Sequence, residues 1–131
     1  MVNDTISDLL TRIRNANLAS HGTVSILNTK MNYSISEILK TEGYIADLTP
    51  PNKNDLMFEI KLKYIGTDKV PCITNLKRLS SPGLRLYSHT KDIPRILNGM
   101  GVVILSTSMG IMTDRDAKRK KIGGELLCSI W

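Results

Sequence analysis

The stretch 56–64 restricts the folds open to this chain more than any other. Leu56, Phe58, Ile60, Leu62 and Tyr64 occupy alternate positions, and one glutamate and two lysines lie between them. Successive side chains of a β-strand point to opposite faces, so the pattern predicts a strand with one buried and one solvated face. Such strands are typical of antiparallel sheets that are covered on one side only.

Two helices are predicted in the first half of the chain. The first has apolar residues at the i, i+3, i+4, i+7 spacing of one buried stripe, namely Ile6, Leu9, Leu10 and Ile13. Asn3 or Asp4 is placed to cap this helix. Thr29 is placed to cap the second helix, and Gly43 to end it in the left-handed conformation. We therefore expect two helices against a small antiparallel sheet.

Further strands are predicted on both sides of the alternating segment, at 24–26, 44–49 and 71–79. The last of these is expected to return into the same sheet. A Ser-Ser-Pro-Gly turn follows it, and such a turn breaks the chain. The sequence therefore predicts an α+β fold with an N-terminal subdomain over residues 1–80 and a C-terminal subdomain over residues 81–131.

An apolar strand, 101–105, leads directly into three adjacent hydroxyl residues, Ser106, Thr107 and Ser108. Hydroxyl groups both donate and accept hydrogen bonds. Held at the end of a buried strand, they suit a surface of mixed donors and acceptors, such as the wide minor groove of RNA. A Ser/Thr-rich turn without a ligand is the alternative that composition alone leaves open.

The last part of the chain predicts a short basic helix and a closing strand. Thr113 and Asp116 have the spacing of a capping box at the start of the helix. Gly123 and Gly124 are placed to stop it, and the strand 125–131 follows.

All of the net charge of +6 lies in the second half of the chain. Residues 1–70 carry eight Lys/Arg and eight Asp/Glu, whereas residues 71–131 carry ten and four. A basic half on a small domain points to a polyanionic partner, commonly RNA or DNA, although a basic helix face can also be merely solvated. The basic candidates are Lys77, Arg78, Arg85, Arg95, Arg115 and the run 118–121. Tyr87 is the candidate for stacking on a ribose or base, although a single tyrosine is more often partly buried in the core. Because aromatic residues make up only 5%, structured RNA fits better than single strands.

Catalytic constellations are incomplete in this sequence. The serines have no general base beside them, because His21 and His89 both lie in polar turns. Asp114, Asp116 and Glu125 keep open a phosphate-handling enzyme or metal-dependent nuclease as the rival function. The simpler interpretation is that the two aspartates favour a helix N-terminus and the glutamate begins a strand. We expect no catalytic residue, no metal, no cofactor and no small-molecule substrate.

Two cysteines and the hydropathy profile indicate the kind of compartment. Cys72 and Cys128 are too few for a disulfide framework and lack partners at metal-ligand spacing, so we expect reduced thiols in a reducing compartment. No apolar run approaches the roughly 20 residues of a membrane span, and no secretion signal is evident.

Several motifs together identify a family resemblance. The segments are 4–16 (DTISDLLTRIRNA), 36–40 (SEILK) with 42–45 (EGYI), 76–80 (LKRLS) with 82–85 (PGLR), 99–108 (GMGVVILSTS) with Gly110 and 112–115 (MTDR), and 123–128 (GGELLC) with Trp131. In this order, the chain resembles the bacterial-type small-subunit ribosomal protein eight family over essentially its full length.

The resemblance implies two α+β subdomains stacked in four layers, α/β/β/α. It also implies primary binding to the central domain of small-subunit ribosomal RNA, assembly of that domain, and contact with neighbouring ribosomal proteins. In the family, the loop matching Ser106 to Ser108 enters an RNA minor groove. The residues matching Tyr87, Gly123, Gly124 and Glu125 lie alongside it.

The N-terminal half of such a protein contacts a neighbouring stretch of the same RNA. The residues that match this part of the family pattern are Arg12, Arg14, Asn15 and Lys30. The chain departs from the pattern at Met109 and Ser81, where the family usually carries a basic residue, and at Asn28, where proline is usual. We expect the first two changes to remove phosphate contacts and the third to loosen the start of the second helix.

The compartment is expected to be a ribosome in a plastid, with the bacterial cytoplasm as the alternative. No presequence precedes the usual start of the family, and few alanines accompany many Ile, Asn, Ser and Lys. That bias is typical of an A+T-rich organellar genome.

Overall fold

A computed structural model describes residues 5–68, 70–80, 83–93 and 101–131. The helices are α1 (Thr5–Leu18), α2 (Lys30–Thr41) and α3 (Asp114–Arg119), and Thr90–Asp92 forms a 3-10 turn. The strands are β1 (Thr23–Leu27), β2 (Ile45–Leu48), β3 (Met57–Leu62), β4 (Tyr64–Ile65), β5 (Val70–Pro71), β6 (Leu76–Arg78), β7 (Tyr87–Ser88), β8 (Val102–Thr107), β9 (Gly110–Thr113) and β10 (Gly124–Ile130). The predicted cap at Asn3 or Asp4, the departure from the family pattern at Ser81 and the basic candidate Arg95 lie outside the described residues.

The chain divides into two compact units, Met1–Thr74 and Asn75–Trp131. Each combines helix with antiparallel sheet, which confirms the α+β class. The division falls a few residues before the predicted boundary at 80. The four-layer stacking of the units stays a prediction.

The N-terminal unit contains a three-stranded antiparallel sheet in the order β1-β3-β2. The apolar stripe of α1 is buried as predicted: Ile6, Leu9, Leu10 and Ile13 are at most 4% exposed. Thr29 caps α2 by accepting a hydrogen bond from the Asn32 amide. Gly43 follows the helix with a φ of 83°, the left-handed conformation that its lack of a Cβ permits.

The alternating segment forms β3, with Phe58, Ile60 and Leu62 buried. Two of its predicted members differ. Leu56 precedes the strand and is 80% exposed, and Tyr64 belongs to β4, where its hydroxyl donates to the carbonyl of His21. The alternation of apolar and polar residues extends past both ends of the strand. It reflects residue type only and does not indicate where the hydrogen-bonded pairing with neighbouring strands ends.

The prediction that 71–79 returns into the N-terminal sheet is wrong. Pro71 pairs only within the small β4-β5 sheet, while Leu76–Arg78 pairs with β10 of the C-terminal unit. Asn75 and Trp131 exchange both backbone hydrogen bonds and so fix this register. Composition predicts extended backbone, but the choice between two sheets depends on long-range packing that it does not encode.

Asn28 does not loosen the start of α2. Its backbone N–H donates to the carbonyl of Leu56 at 2.8 Å, and its side-chain amide donates to the carbonyl of Asp55 at 2.8 Å. Proline lacks the N–H for the first of these bonds. The asparagine therefore ties the start of α2 to the residues before β3.

The C-terminal unit contains an antiparallel sheet in the order β6-β10-β8-β9, and β7 also pairs with β10. One face packs on α3 through a buried cluster of Ile93, Val103, Leu105, Met112, Ala117 and Leu126. Thr113 caps α3 by accepting from the Asp116 amide, which confirms the predicted cap. The strand β9 was not predicted, because its four residues, which begin at Gly110, are too few to show the alternation of a strand.

Candidate nucleic-acid interface

The sheet of the C-terminal unit brings residues from three strands into one row. In the register, Tyr87 stands opposite Glu125, and Glu125 stands opposite Ser106. Directly paired residues of an antiparallel sheet share a face. We call Tyr87, Glu125, Ser106, Thr107 and Ser108 the hydroxyl edge. Three predicted sites, each about 20 residues from the next in sequence, thus lie in one row.

The three hydroxyls of this edge are not equivalent. The Thr107 hydroxyl donates to the Gly110 carbonyl at 2.8 Å and accepts from the Met109 amide at 3.2 Å. It therefore closes the turn between β8 and β9. Within the described part of the chain, the hydroxyls of Ser106 and Ser108 make no hydrogen bond, and Ser108 is exposed. Ser106 and Ser108 are the two hydroxyls available to a ligand.

Gly123 and Gly124 allow the close approach of neighbouring backbone. A Cβ on Gly124 would lie 2.3 Å from the Ser106 carbonyl oxygen, and one on Gly123 would lie 2.3 Å from that of Ser88. The prediction that these glycines stop α3 is wrong. The helix ends at Arg119, and Lys121 already has a φ of 57°, before either glycine is reached.

An open hollow of about 340 Å³ lies beside the glycine pair. It is lined by Tyr87, Ser88, His89, Gly123 and Gly124. Tyr87 is 70% exposed, so its ring is open to a planar ligand group. Ser88 and His89 were missed by sequence reasoning. The glycine pair was the available signal, because adjacent glycines mark places where another backbone approaches closely.

Glu125 is held by Arg85 rather than left as an isolated negative charge at the edge. One guanidinium nitrogen lies 3.2 and 3.3 Å from the two carboxylate oxygens. The carboxylate side chain is 14% exposed and the arginine 58% exposed. Because the arginine offsets its charge, the carboxylate does not by itself repel a phosphate backbone.

The other predicted basic residues of this unit differ in their surroundings. Lys77 and Arg115 are exposed. Arg78 is half-buried, and its guanidinium donates to the carbonyl oxygen of Leu127 at 2.8 Å. Residues 75–131 carry ten Lys/Arg and four Asp/Glu, so this unit has a net positive charge that favours a polyanionic partner.

The predicted RNA-contact residues of the N-terminal unit are exposed on α1 and at the start of α2. Arg12 forms an ion pair with Asp8 at 2.9 Å and reaches the Ser25 carbonyl at 3.5 Å. Arg14, Asn15 and Lys30 are exposed. These residues are the candidate RNA contacts of the N-terminal unit, which does not contain the hydroxyl edge.

The three acids considered for metal chemistry each have a structural partner. Asp114 is 4% exposed and accepts from the Val103 amide at 3.3 Å. Asp116 pairs with Arg119 at 2.6 Å, and Glu125 pairs with Arg85. Among the described residues, no three metal-ligating side chains cluster, and no helix is long and apolar enough to cross a membrane.

The thiols of Cys72 and Cys128 are expected to differ in reactivity because they differ in burial. Cys128 is fully buried, and burial raises its pKa from 9.0 to about 12, partly offset by the nearby Arg78 charge. A thiol reagent at pH 8 should therefore modify the partly exposed Cys72 in the native protein and Cys128 only after unfolding. In Cys72→Ser protein, rapid native-state modification of Cys128 would contradict this.

Because the Cys128 thiol ionises less readily in the folded protein than in the unfolded one, we also expect the free energy of unfolding to fall as pH rises from 9 towards 12.

Comparison with known proteins identifies the family. Residues 4–131 match the family model described as ribosomal protein S8. The small ribosomal subunit protein uS8c of Tupiella akineta is 66% identical over 131 residues, which is 100% of both chains. The uS8 protein of Nostoc punctiforme is 54% identical over 98% of both chains, and uS8c of Oltmannsiellopsis viridis is 53% identical over 100% of both. The chain therefore belongs to the ribosomal protein S8 family and is a constituent of the small ribosomal subunit.

Proposed function

We propose that the protein binds the central domain of small-subunit ribosomal RNA directly and helps that domain to assemble. The observation that carries this is the hydroxyl edge. Two hydroxyls without hydrogen bonds among the described residues stand beside an exposed tyrosine, on a unit with a large positive charge. Hydroxyls that both donate and accept match the ribose hydroxyls and base edges of a minor groove.

Two kinds of residue contact the RNA in this proposal: basic residues position the protein on the phosphates, and hydroxyl residues recognise the groove. Lys77 and the basic residues of α3, which include Arg115, neutralise phosphates. These contacts supply affinity that depends on salt. Ser106 and Ser108 contact the groove, and Tyr87 packs on a ribose or base beside the hollow. Gly123 and Gly124 let the strands approach closely enough to bring these groups together.

The N-terminal unit supplies the second RNA contact in this proposal. Arg12, Arg14, Asn15 and Lys30 are exposed polar groups of the type that contacts phosphate and sugar. Neighbouring proteins of the small subunit are the further partners. No catalytic step is assigned to the protein.

We infer that the protein works in a plastid ribosome. Two of its similar relatives are of the chloroplast type, uS8c, while the Nostoc protein fits the bacterial alternative. The biased composition noted above supports the plastid. Detection of the protein in the small-subunit fraction of isolated plastids would test this assignment, and its absence there would contradict it.

A binding titration tests the proposed function. The purified protein is titrated with a central-domain RNA fragment and with an unrelated duplex of equal length, at several salt concentrations. Preference for the fragment by about a hundredfold or more at physiological salt is expected, because non-specific binding is micromolar or weaker. Equal, steeply salt-dependent binding to both would overturn the proposal. Loss of a metal-dependent activity on mutating Asp114, Asp116 and Glu125, with RNA affinity intact, would favour the nuclease instead.

The exposed Met109 at the hairpin tip gives a prediction about phosphate contact. Met109 is 66% exposed and its amide is fixed by Thr107. In Met109→Lys protein, we expect tighter RNA binding at low salt. We also expect the slope of log K against log salt to steepen by about 0.7–0.9, the value for one added phosphate contact. Met109→Gln is the uncharged control, and an unchanged slope in the lysine variant would place the hairpin tip away from phosphates.

A further inference from the structure

The register of β10 changes in its middle. On one side of the change Cys128 pairs with Ile104, and on the other side Glu125 pairs with Ser106. The β8 positions are two residues apart, whereas the β10 positions are three apart. The extra residue lies at Leu127, between the shifted pairs, and this arrangement is a β-bulge.

The bulge decides which side chain stands opposite Ser106. Without the extra residue, continued alternation would place Leu126 opposite Ser106 and would turn Glu125 to the other face of the sheet. A leucine would then replace the ion pair of Glu125 and Arg85 beside the hydroxyls. The hydroxyl edge therefore exists only while the bulge is kept.

Two donors hold the carbonyl oxygen of the bulged residue. The Arg78 guanidinium donates to the Leu127 oxygen at 2.8 Å, and the Leu79 amide donates to it at 3.0 Å. Arg78 itself pairs with Cys128, directly after the bulge. A hydrogen bond from a charged guanidinium is stronger than one between neutral groups. The side chain is thus placed to stabilise the bulge in preference to a regular strand.

We propose that Arg78 is a positioning residue, which locks the bulge at Leu127 and thereby sets Glu125 beside Ser106. This differs from the role of phosphate contact that the basic sequence around Lys77 and Arg78 predicts. The inference rests on the proposed function, since the hydroxyl edge is taken as the surface that meets RNA. Lys77, the exposed neighbour on β6, keeps the phosphate role and serves as the control.

Hydrogen exchange in the free protein tests the lock without RNA. The reporters are the amides of Leu79 and Ser80, which donate to the carbonyls of Leu127 and Leu126. In Arg78→Met, we expect faster exchange at both amides, on the order of tenfold. Arg78→Gln keeps a donor without the charge and should restore most of the protection. Unchanged exchange in both variants would overturn the lock.

RNA binding separates positioning from phosphate contact. Arg78→Met should weaken binding of the central-domain fragment on the order of tenfold, while its salt slope stays that of the wild type. Lys77→Met should lower the slope by about 0.7–0.9. If Arg78→Met and Arg78→Gln both lower the slope in this way, Arg78 contacts phosphate and the lock is overturned. If Arg78→Met does not fold, the salt slope of Arg78→Gln decides: a wild-type slope is expected, and a lowered slope overturns the lock. If the wild-type protein does not prefer the central-domain fragment to the unrelated duplex, the proposed function is overturned. The role of Arg78 in holding the bulge is still tested, because the exchange experiment uses the protein without RNA.

Discussion

Gly124→Ala is expected to destabilise the protein and to weaken RNA binding together. The added Cβ would lie 2.3 Å from the Ser106 carbonyl oxygen and 3.0 Å from its carbonyl carbon. Both are backbone atoms of β8, so the clash is relieved only by moving one central strand away from the other. We expect a loss of about 1–3 kcal/mol in the free energy of unfolding, the usual range for overpacking. Urea unfolding monitored by circular dichroism measures it.

The same displacement would disturb the pairing of Glu125 with Ser106, so RNA affinity should fall by more than the loss of folded protein accounts for. Gly22→Ala is the matched control. No atom lies within 4 Å of its added Cβ and its φ is not left-handed, so a change within about 0.5 kcal/mol is expected. Wild-type stability and affinity in Gly124→Ala would show that β8 and β10 tolerate greater separation than the structure has.

Local patterns predicted the elements that depend on local physics. The stripe of α1, the Thr29 and Thr113 caps, and the buried positions of β3 follow from the period of a helix, the spacing of a cap and the alternation of a strand. Each is a relation between residues a few positions apart. These relations are visible without knowing the tertiary structure.

Pairing between distant strands was predicted less well. The pattern that marks Leu76–Arg78 as extended does not state that it pairs with β10 instead of the N-terminal sheet. Likewise, Gly123 and Gly124 were assigned to the end of α3, whereas the structure needs them for contact with Ser88 and Ser106. A glycine is compatible with both roles. Only the approach of a distant backbone distinguishes them.

The candidate site was predicted by residue type but not by role. Ser106, Thr107 and Ser108 were treated as one group, yet the Thr107 hydroxyl is occupied in closing the turn. Arg78 was grouped with Lys77, yet its guanidinium points to the carbonyl of Leu127. Hydrogen-bond partners depend on strand register, and the bulge in β10 that sets this register leaves no mark in the composition.

Replacing the hydroxyl of Ser106 or Ser108 should lower specific RNA affinity without unfolding the protein. Neither hydroxyl makes a hydrogen bond among the described residues, so its removal costs the fold little. In the complex, the RNA group that it meets would be left buried without a partner. That costs about 1–3 kcal/mol, or roughly 5- to 150-fold in Kd. The salt slope should stay unchanged, because no phosphate contact is lost.

Thr107 and Ser25 provide the comparisons that make this result specific. Thr107→Val removes the hydroxyl that closes the turn, so it should lower both stability and affinity, unlike Ser106→Ala and Ser108→Ala. Ser25→Ala changes an exposed serine of β1 and should alter neither. Titrations of the central-domain fragment with all four variants at two salt concentrations measure the affinities, and urea unfolding measures the stabilities. Wild-type affinity in both Ser106→Ala and Ser108→Ala would contradict groove reading by this edge, since phosphate contacts alone would then suffice for binding.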